Sequence, residues 1–152
     1  MDQFFRKEDF EKYLREHIPV TAAMGVEVEE ASQDQVILLG KFANNINHKK
    51  TVFGGSLHAV ATLACWSLLH MNLVRSKREA PGEIVIVGSS VNFLHPVTSD
   101  FRASTRIPEQ EKWERFLKVL DRKGKGKVEL SAQIMQDGKV AVDYVGTFAA
   151  LR

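Results

Sequence analysis

The stretch from Leu57 to Leu69 constrains this chain more than any other. It is built mainly from Leu, Ala, Val, Trp and Cys, and no charged residue follows until Arg75. Apolar positions fall on every face of a 3.6-residue repeat rather than on one stripe, which predicts a helix buried nearly all round. At about 16 residues it falls short of the ~20 that a bilayer span needs. Thr51-Val52-Phe53-Gly54-Gly55-Ser56 leads into it. Two glycines let the backbone come close to another group at the helix N-terminus, where free N–H groups point outward. That end attracts negative charge and can hold an oxyanion. The remaining elements must therefore wrap around one central helix.

A chain of 152 residues fits one domain, 1–152, with a sizeable core. The net charge of +2 is too small to argue for a nucleic-acid partner. The single Cys65 lies inside the apolar run, excludes an internal disulfide and fits a reducing compartment. Met1 to Glu8 has no apolar core of signal-peptide length, so a cytoplasmic protein is expected.

Residues 4 to 18 have helical spacing, with Phe10, Tyr13, Leu14 and Ile18 on one side, and Pro19 ends the helix. Gly25 to Glu30 alternates and predicts a strand with one wet face. Ser32-Gln33-Asp34 turns the chain into a second strand, Gln35 to Phe42, paired to the first as a hairpin. Residues 44 to 50 form a polar loop before the Gly-Gly pair. After the central helix comes a charged connection, Ser76 to Gly82. Glu83 to Leu94 is a long strand, in which Gly88-Ser89-Ser90 marks a bulge or a close backbone approach. Asp100 to Ile107 is another strand. Pro108 opens a second amphipathic helix with Trp113, Phe116, Leu117 and Leu120 on one face, and Gly124-Lys125-Gly126 breaks it. Lys127 to Gln136 and Lys139 to Leu151 close as a hairpin over Asp137-Gly138. These elements are satisfied by an α+β architecture in which an antiparallel sheet of about six strands curls around one helix. The sheet's other face and edges still need cover, from the amphipathic helices or from a second subunit.

This plan resembles the hotdog fold of acyl-thioester hydrolases and dehydratases. More narrowly, several motifs resemble the thioesterase family named after the C-terminal domain of YiiD. They are Ile18-Pro19-Val20, Ala23-Met24-Gly25, Asn47-His48-Lys49, Thr51 to Leu57, and Ala61-Thr62-Leu63-Ala64 with Trp66. Asn92-Phe93-Leu94-His95-Pro96-Val97 resembles the strand end that borders the acyl pocket in hotdog enzymes. The resemblance implies a dimer, or a tetramer of dimers, with sheets joined edge to edge and sites between subunits. It implies a coenzyme A or acyl carrier protein thioester as substrate, with that carrier as part of the substrate and no separate cofactor.

The resemblance also implies roles. Gly54 and Gly55 would polarise the thioester carbonyl through backbone N–H groups; the alternative is a tight turn into a buried helix. Asn47 matches the asparagine before the His-Gly-Gly motif of phenylacetyl-CoA-type thioesterases, where it holds water or the carbonyl; in an Asn-rich loop it could equally make its own turn. His48 is open between a general base and an exposed loop residue. Phe53 stands where many relatives carry histidine and can do no polar work. The helix acid of many hotdog thioesterases is missing, and Thr62 stands near its place, able to orient a water. His58 lies one turn before Thr62 on the same face, as a partner or as a buried histidine. Phe53, Ser56, His58, Phe93 and His95 are the candidate substrate-binding residues. Cys65, mid-helix with no basic neighbour in sequence, reads as an inert thiol rather than a nucleophile.

The five histidines show no metal-ligand spacing, and Lys123 to Lys127 lacks the phosphate-loop spacing. Arg115, Lys118, Arg122, Lys123, Lys125 and Lys127 concentrate positive charge near the second amphipathic helix, and Arg102 and Arg106 add to it. They read as a solvated face or as a contact for coenzyme A phosphates or an acidic carrier protein. The reaction expected is thioester hydrolysis. A non-catalytic acyl-binding module and a 3-hydroxyacyl dehydratase or hydratase are the alternatives.

Overall fold

The computed structural model describes residues 6–75 and 82–152. The expected charged connection at 76–82 lies outside them except for Gly82, as do the first five residues. The element order is α1 (Lys7–His17), α2 (Val20–Ala23), β1 (Glu27–Ala31), β2 (Gln35–Gly40), α3 (Phe42–Asn45), α4 (Gly54–Arg75), β3 (Ile84–Phe93), β4 (Phe101–Arg106), α5 (Gln110–Lys123), β5 (Lys125–Gln136) and β6 (Lys139–Leu151). The strands form one antiparallel sheet in the order β1-β2-β4-β5-β6-β3, curved around α4 as a hotdog fold. The hairpin over Asp137 and Gly138 has positive φ at both residues, 52° and 77°, as a two-residue primed turn requires. The irregularity expected near Gly88 is a register shift between Ile86 and Gly88.

The central helix is longer than the apolar run suggests. It starts at Gly54 itself and has 22 residues, because Gly54 and Ser56 continue helical geometry at one end and polar Asn72 does so at the other. By length and composition alone it could cross a membrane, but its most apolar window is 67% buried inside the fold. One side of α4 (Leu57, Val60, Leu63, Leu68, Met71) packs with α1, β1, β2 and β4. The other (Ala61, Cys65, Leu69, Leu73) packs with α5, β5 and β6. Both amphipathic helices thus share the concave side with α4 instead of covering the sheet's other face. Their buried stripes, Phe10 with Leu14 and Trp113 with Phe116 and Leu120, extend the same core. The convex face of β5 is left to the exposed residues Lys127, Glu129, Ser131, Gln133 and Met135.

Four local expectations differ. The polar loop begins with the short helix α3, because the buried Asn45 amide donates to the carbonyls of Lys41 (2.7 Å) and Met24 (2.8 Å). The chain after Pro19 forms α2 rather than running directly into β1. Gly124, at φ 75°, caps α5, and β5 starts at once at Lys125 rather than after a break. The helix itself starts at Gln110, two residues beyond Pro108.

Candidate active site

The loop that feeds α4 is fastened on both sides. Val52 N–H donates to the Val97 carbonyl and Phe53 N–H to the Asn45 carbonyl, each at 2.8 Å. The Phe53 carbonyl accepts the first helical bonds, from Ser56 N–H at 3.0 Å and Leu57 N–H at 3.2 Å. The Gly54 and Gly55 N–H groups have no partner among the described residues. They are the free donors that every helix start leaves. Two phenyl rings flank them. A Cβ on Gly54 would touch Phe93, and one on Gly55 would overlap the Phe53 ring, so glycine at 55 is what lets that ring fold over the helix start. Both rings are more than half exposed.

From Gly55 a cleft of about 570 Å³ runs along α4. Its floor is a stripe of α4 that is only partly buried, Gly55, His58, Ala59, Thr62 and Trp66, with Trp66 packed at its edge against both core clusters. This is where the expectation of burial all round fails. The spacing places these residues on one helix face. Ile84, Ile86 and Ser89 of β3 form one wall, and Ile18, Val20, Thr21 and Met24 form the other. Among the described residues that line it, His58 is the only ionisable one and none is a carboxylate.

The polar groups of the cleft are tied together. His58 Nε2 lies 3.0 Å from Ser89 Oγ, bridging α4 to β3. The Thr62 hydroxyl donates to the His58 carbonyl at 2.9 Å, one turn back. Tyr144 of β6 stands behind them, its ring 5.6 Å from that of His58. Burial raises the Tyr144 phenol pKa, the Thr62 hydroxyl opposes the rise, Cys65 adds to it and Ser89 opposes it. The Tyr144 and Thr21 hydroxyls are buried with no hydrogen-bond partner among the described residues.

The other candidates lie elsewhere or are engaged. Asn47 is half-buried and spends its side chain on its own loop. Its Oδ1 accepts from Lys49 N–H (2.9 Å) and Thr51 N–H (3.1 Å), and its Nδ2 donates to Thr51 Oγ1 (2.9 Å). His48 is exposed beside Lys49 and Lys50. His95 is exposed beyond the end of β3, its N–H donating to the Ala141 carbonyl at 3.3 Å. Ser56 is half-buried in the first turn of α4. Cys65 is fully buried and its thiol is pushed up to about 12, first by burial, with the Thr105 hydroxyl pulling the other way. The structure thus brings Gly55, His58 and Thr62 into one cleft, with Gly54, Phe53 and Phe93 at its mouth, and leaves His48 and His95 outside its lining. It adds Ser89, Tyr144, Thr21 and Trp66. The Gly88-Ser89-Ser90 stretch signalled an irregular strand, but nothing in the sequence aligned Ser89 with His58.

Among the described residues no three His, Cys, Asp or Glu side chains group as metal ligands. Arg115, Lys118 and Arg122 are exposed on the outer face of α5, and Arg115 pairs with Glu111 at 3.7 Å.

Known structures share this architecture. A protein of unknown function from Chlorobaculum tepidum is 27% identical over 97% of this chain and 98% of its own, with a TM-score of 0.89. A "putative thioesterase" from Shewanella oneidensis is 24% identical over the whole of both chains, with a TM-score of 0.81. A thioesterase from Haemophilus influenzae is 13% identical over 97% of this chain and 92% of its own, with a TM-score of 0.75. Residues 7–152 match the family model described as "Putative thioesterase (yiiD_Cterm)". With that match running from α1 to the end of β6, the chain belongs to the YiiD C-terminal thioesterase family.

Proposed function

We propose that the protein hydrolyses acyl thioesters of coenzyme A or of an acyl carrier protein in the cleft along α4. The observation that carries this reading is the alignment of unpartnered N–H groups at Gly54 and Gly55 with His58, one turn further along the same cleft. The thioester carbonyl oxygen would sit at the helix N-terminus, where backbone donors and the helix dipole stabilise the negative charge that forms as water adds. His58 is the base. With its proton on Nε2, donated to Ser89 Oγ, the imidazole keeps Nδ1 free to take a proton from the attacking water. Collapse of the tetrahedral intermediate expels the thiol, which takes up the proton held on the imidazole. Thr62 orients the water or the acyl group. Asn47 holds the loop that presents Phe53 and Gly54, and Phe53 and Phe93 flank the thioester. Ser56 fixes the first turn of α4, its N–H donating to the Phe53 carbonyl.

The active unit is a homodimer or a tetramer of dimers. The β3 edge leaves Val85, Ile86, Val87 and Phe93 exposed beside the cleft. A second copy paired along this edge would cover them and close the site. A cytoplasmic location fits the unpaired buried thiol.

A non-catalytic acyl-thioester binding module is the second reading, favoured by the absence of any carboxylate along α4. His58→Gln separates the two. Hydrolysis predicts that the wild type releases thiol from an acyl-CoA and that His58→Gln lowers kcat about 100-fold or more while binding stays within a few-fold. Unchanged kcat would remove His58 from the mechanism. An acyl-CoA bound but never cleaved by the wild type would establish the binding module.

A further inference from the structure

We propose that the cleft selects acyl groups that carry a hydrogen-bonding oxygen, a hydroxyl or an oxo group, over plain alkyl chains. This rests on the thioester reading above and names its substrate class.

An alkyl chain wants an apolar tunnel. Most of this cleft supplies one: Ile18, Met24, Leu63, Trp66, Ile84 and Ile86 line it. Around the cleft from Gly55 inward, however, stand four hydroxyls and an imidazole. Ser89 and Thr62 line the cleft directly, each with hydrogen-bonding capacity beyond its one bond. Behind them the Tyr144 hydroxyl is buried, close enough to the Thr62 and Ser89 hydroxyls for both to oppose the rise in its pKa but in a well-formed hydrogen bond with neither, and Thr21 on the opposite wall is buried with no hydrogen-bond partner among the described residues. Leaving a polar group buried and unpaired is costly, so two around one cleft call for an explanation.

A second, independent feature shows that the fold makes room for the phenol. Gly146, two residues beyond Tyr144 on the same face of β6, has no side chain, and a Cβ there would stand 2.5 Å from the Tyr144 oxygen. Glycine inside a strand is unfavourable and marks a close approach. Here the approach is that of the Tyr144 hydroxyl.

Helix geometry sets the position of the oxygen. His58 lies about 4.5 Å and Thr62 about 10.5 Å along the axis from Gly55. A carbonyl held at Gly55 places the third and later carbons of the acyl chain beside Ser89 and Thr62. An oxygen on those carbons accepts from Ser89 Oγ–H, which is free to donate when His58 supplies the proton of the His58–Ser89 bond, or donates to Thr62 Oγ1. Tyr144 is a positioning residue: it acts through the Ser89 and Thr62 hydroxyls rather than by touching substrate.

The test compares hexanoyl-CoA with 3-hydroxyhexanoyl-CoA, 3-oxohexanoyl-CoA and 6-hydroxyhexanoyl-CoA, using thiol release by the wild type, Ser89→Ala and Tyr144→Phe. At least one oxygenated ester is expected to exceed hexanoyl-CoA about tenfold or more in kcat/KM. That ratio should fall to near one in Ser89→Ala and severalfold in Tyr144→Phe. A ratio within one substrate pair cancels any general loss of activity or of folded protein. Hexanoyl-CoA cleaved as well as every oxygenated ester, or a preference that survives both substitutions, overturns the proposal. If no ester releases thiol, hydrolysis fails by itself. The same four esters are then titrated calorimetrically, where a tenfold ratio of dissociation constants that Ser89→Ala abolishes supports the proposal and equal affinities overturn it.

Discussion

Tyr144 can keep a hydroxyl in the core only because position 146 has no side chain. Their shared strand face is packed, with Tyr144 and Phe148 both buried. A Cβ on Gly146 would meet the phenol oxygen at 2.5 Å and the Phe148 ring at 2.9 Å. Replacing a strand glycine by alanine is ordinarily favourable by about 0.5–1 kcal/mol. Here Gly146→Ala is predicted to destabilise by about 1–3 kcal/mol through overpacking. Tyr144→Phe in the same chain should return part of that loss, read as a positive coupling in a denaturant double-mutant cycle. Additive effects would mean that the hydroxyl is not what Gly146 accommodates. At this scale the sequence was partly legible. Gly54-Gly55 stands out because paired glycines before an apolar run have few other uses. Ser89 and Tyr144 did not stand out, since their role depends on the register that sets Ser89 opposite Gly146 and on α4 lying across both. Asn47 could be read from the sequence either as a water-holding residue or as a loop asparagine making its own turn, and its carboxamide bonds within its own loop to Lys49 and Thr51.

Between elements, α1 is joined to α4 by a stack of rings. His17 lies 4.1 Å from Tyr13, Tyr13 5.1 Å from His70, and His70 4.7 Å from Trp66. Burial, with the charge of His17 as a lesser cause, lowers the His70 pKa from 6.5 to about 4. A histidine that resists protonation when folded but accepts a proton at 6.5 when unfolded contributes stability at neutral pH. That contribution drains away as pH falls from about 6.5 towards 4 and changes little below. It is worth at most about 3 kcal/mol. His70→Phe keeps a ring in the stack and removes the proton site. Urea unfolding at pH 7 and pH 4.5 should show the wild type losing more stability than this variant, and equal losses would place the acid sensitivity elsewhere. The strands and the long helices were legible because period-2 and period-3.6 patterns persist over them. The short helices α2 and α3 were not, having four residues each and no room for a period. The ends of α4 escaped because glycine and asparagine discourage helix in isolation, while tertiary packing holds them in one here.

Over the whole molecule, a one-sided architecture leaves a distinct edge. Three helices lie on the concave face and β3 ends the sheet, with Val87 53% and Phe93 52% exposed. Long apolar edge strands are normally paired or protected. Two copies of the chain paired along β3 are therefore expected in sedimentation equilibrium. Val87→Lys, on the bulge of that strand, should shift the protein towards monomer and lower turnover with it, because β3 is also a wall of the cleft. A wild type that sediments as a monomer at all concentrations would mean that β3 is not the interface. The hotdog architecture was legible from the order of elements around one buried helix. The placement of α1 and α5 was not, because an amphipathic stripe shows that a helix has a buried face but not which side of a sheet receives it.

The N-terminus of α4 and the cleft beginning at Gly55 are proposed to form a thioester-cleaving site. Its most direct measurement is the rate of free-thiol release from acyl-CoA esters, acetyl to palmitoyl plus one aromatic and the hydroxylated and oxo hexanoyl esters, by the purified protein. Release is expected from at least one of these esters, suppressed about 100-fold in His58→Gln. Release from none of them, by a protein shown to be folded, would contradict hydrolysis of coenzyme A esters and leave the cleft as an acyl-binding site or one that requires a carrier protein.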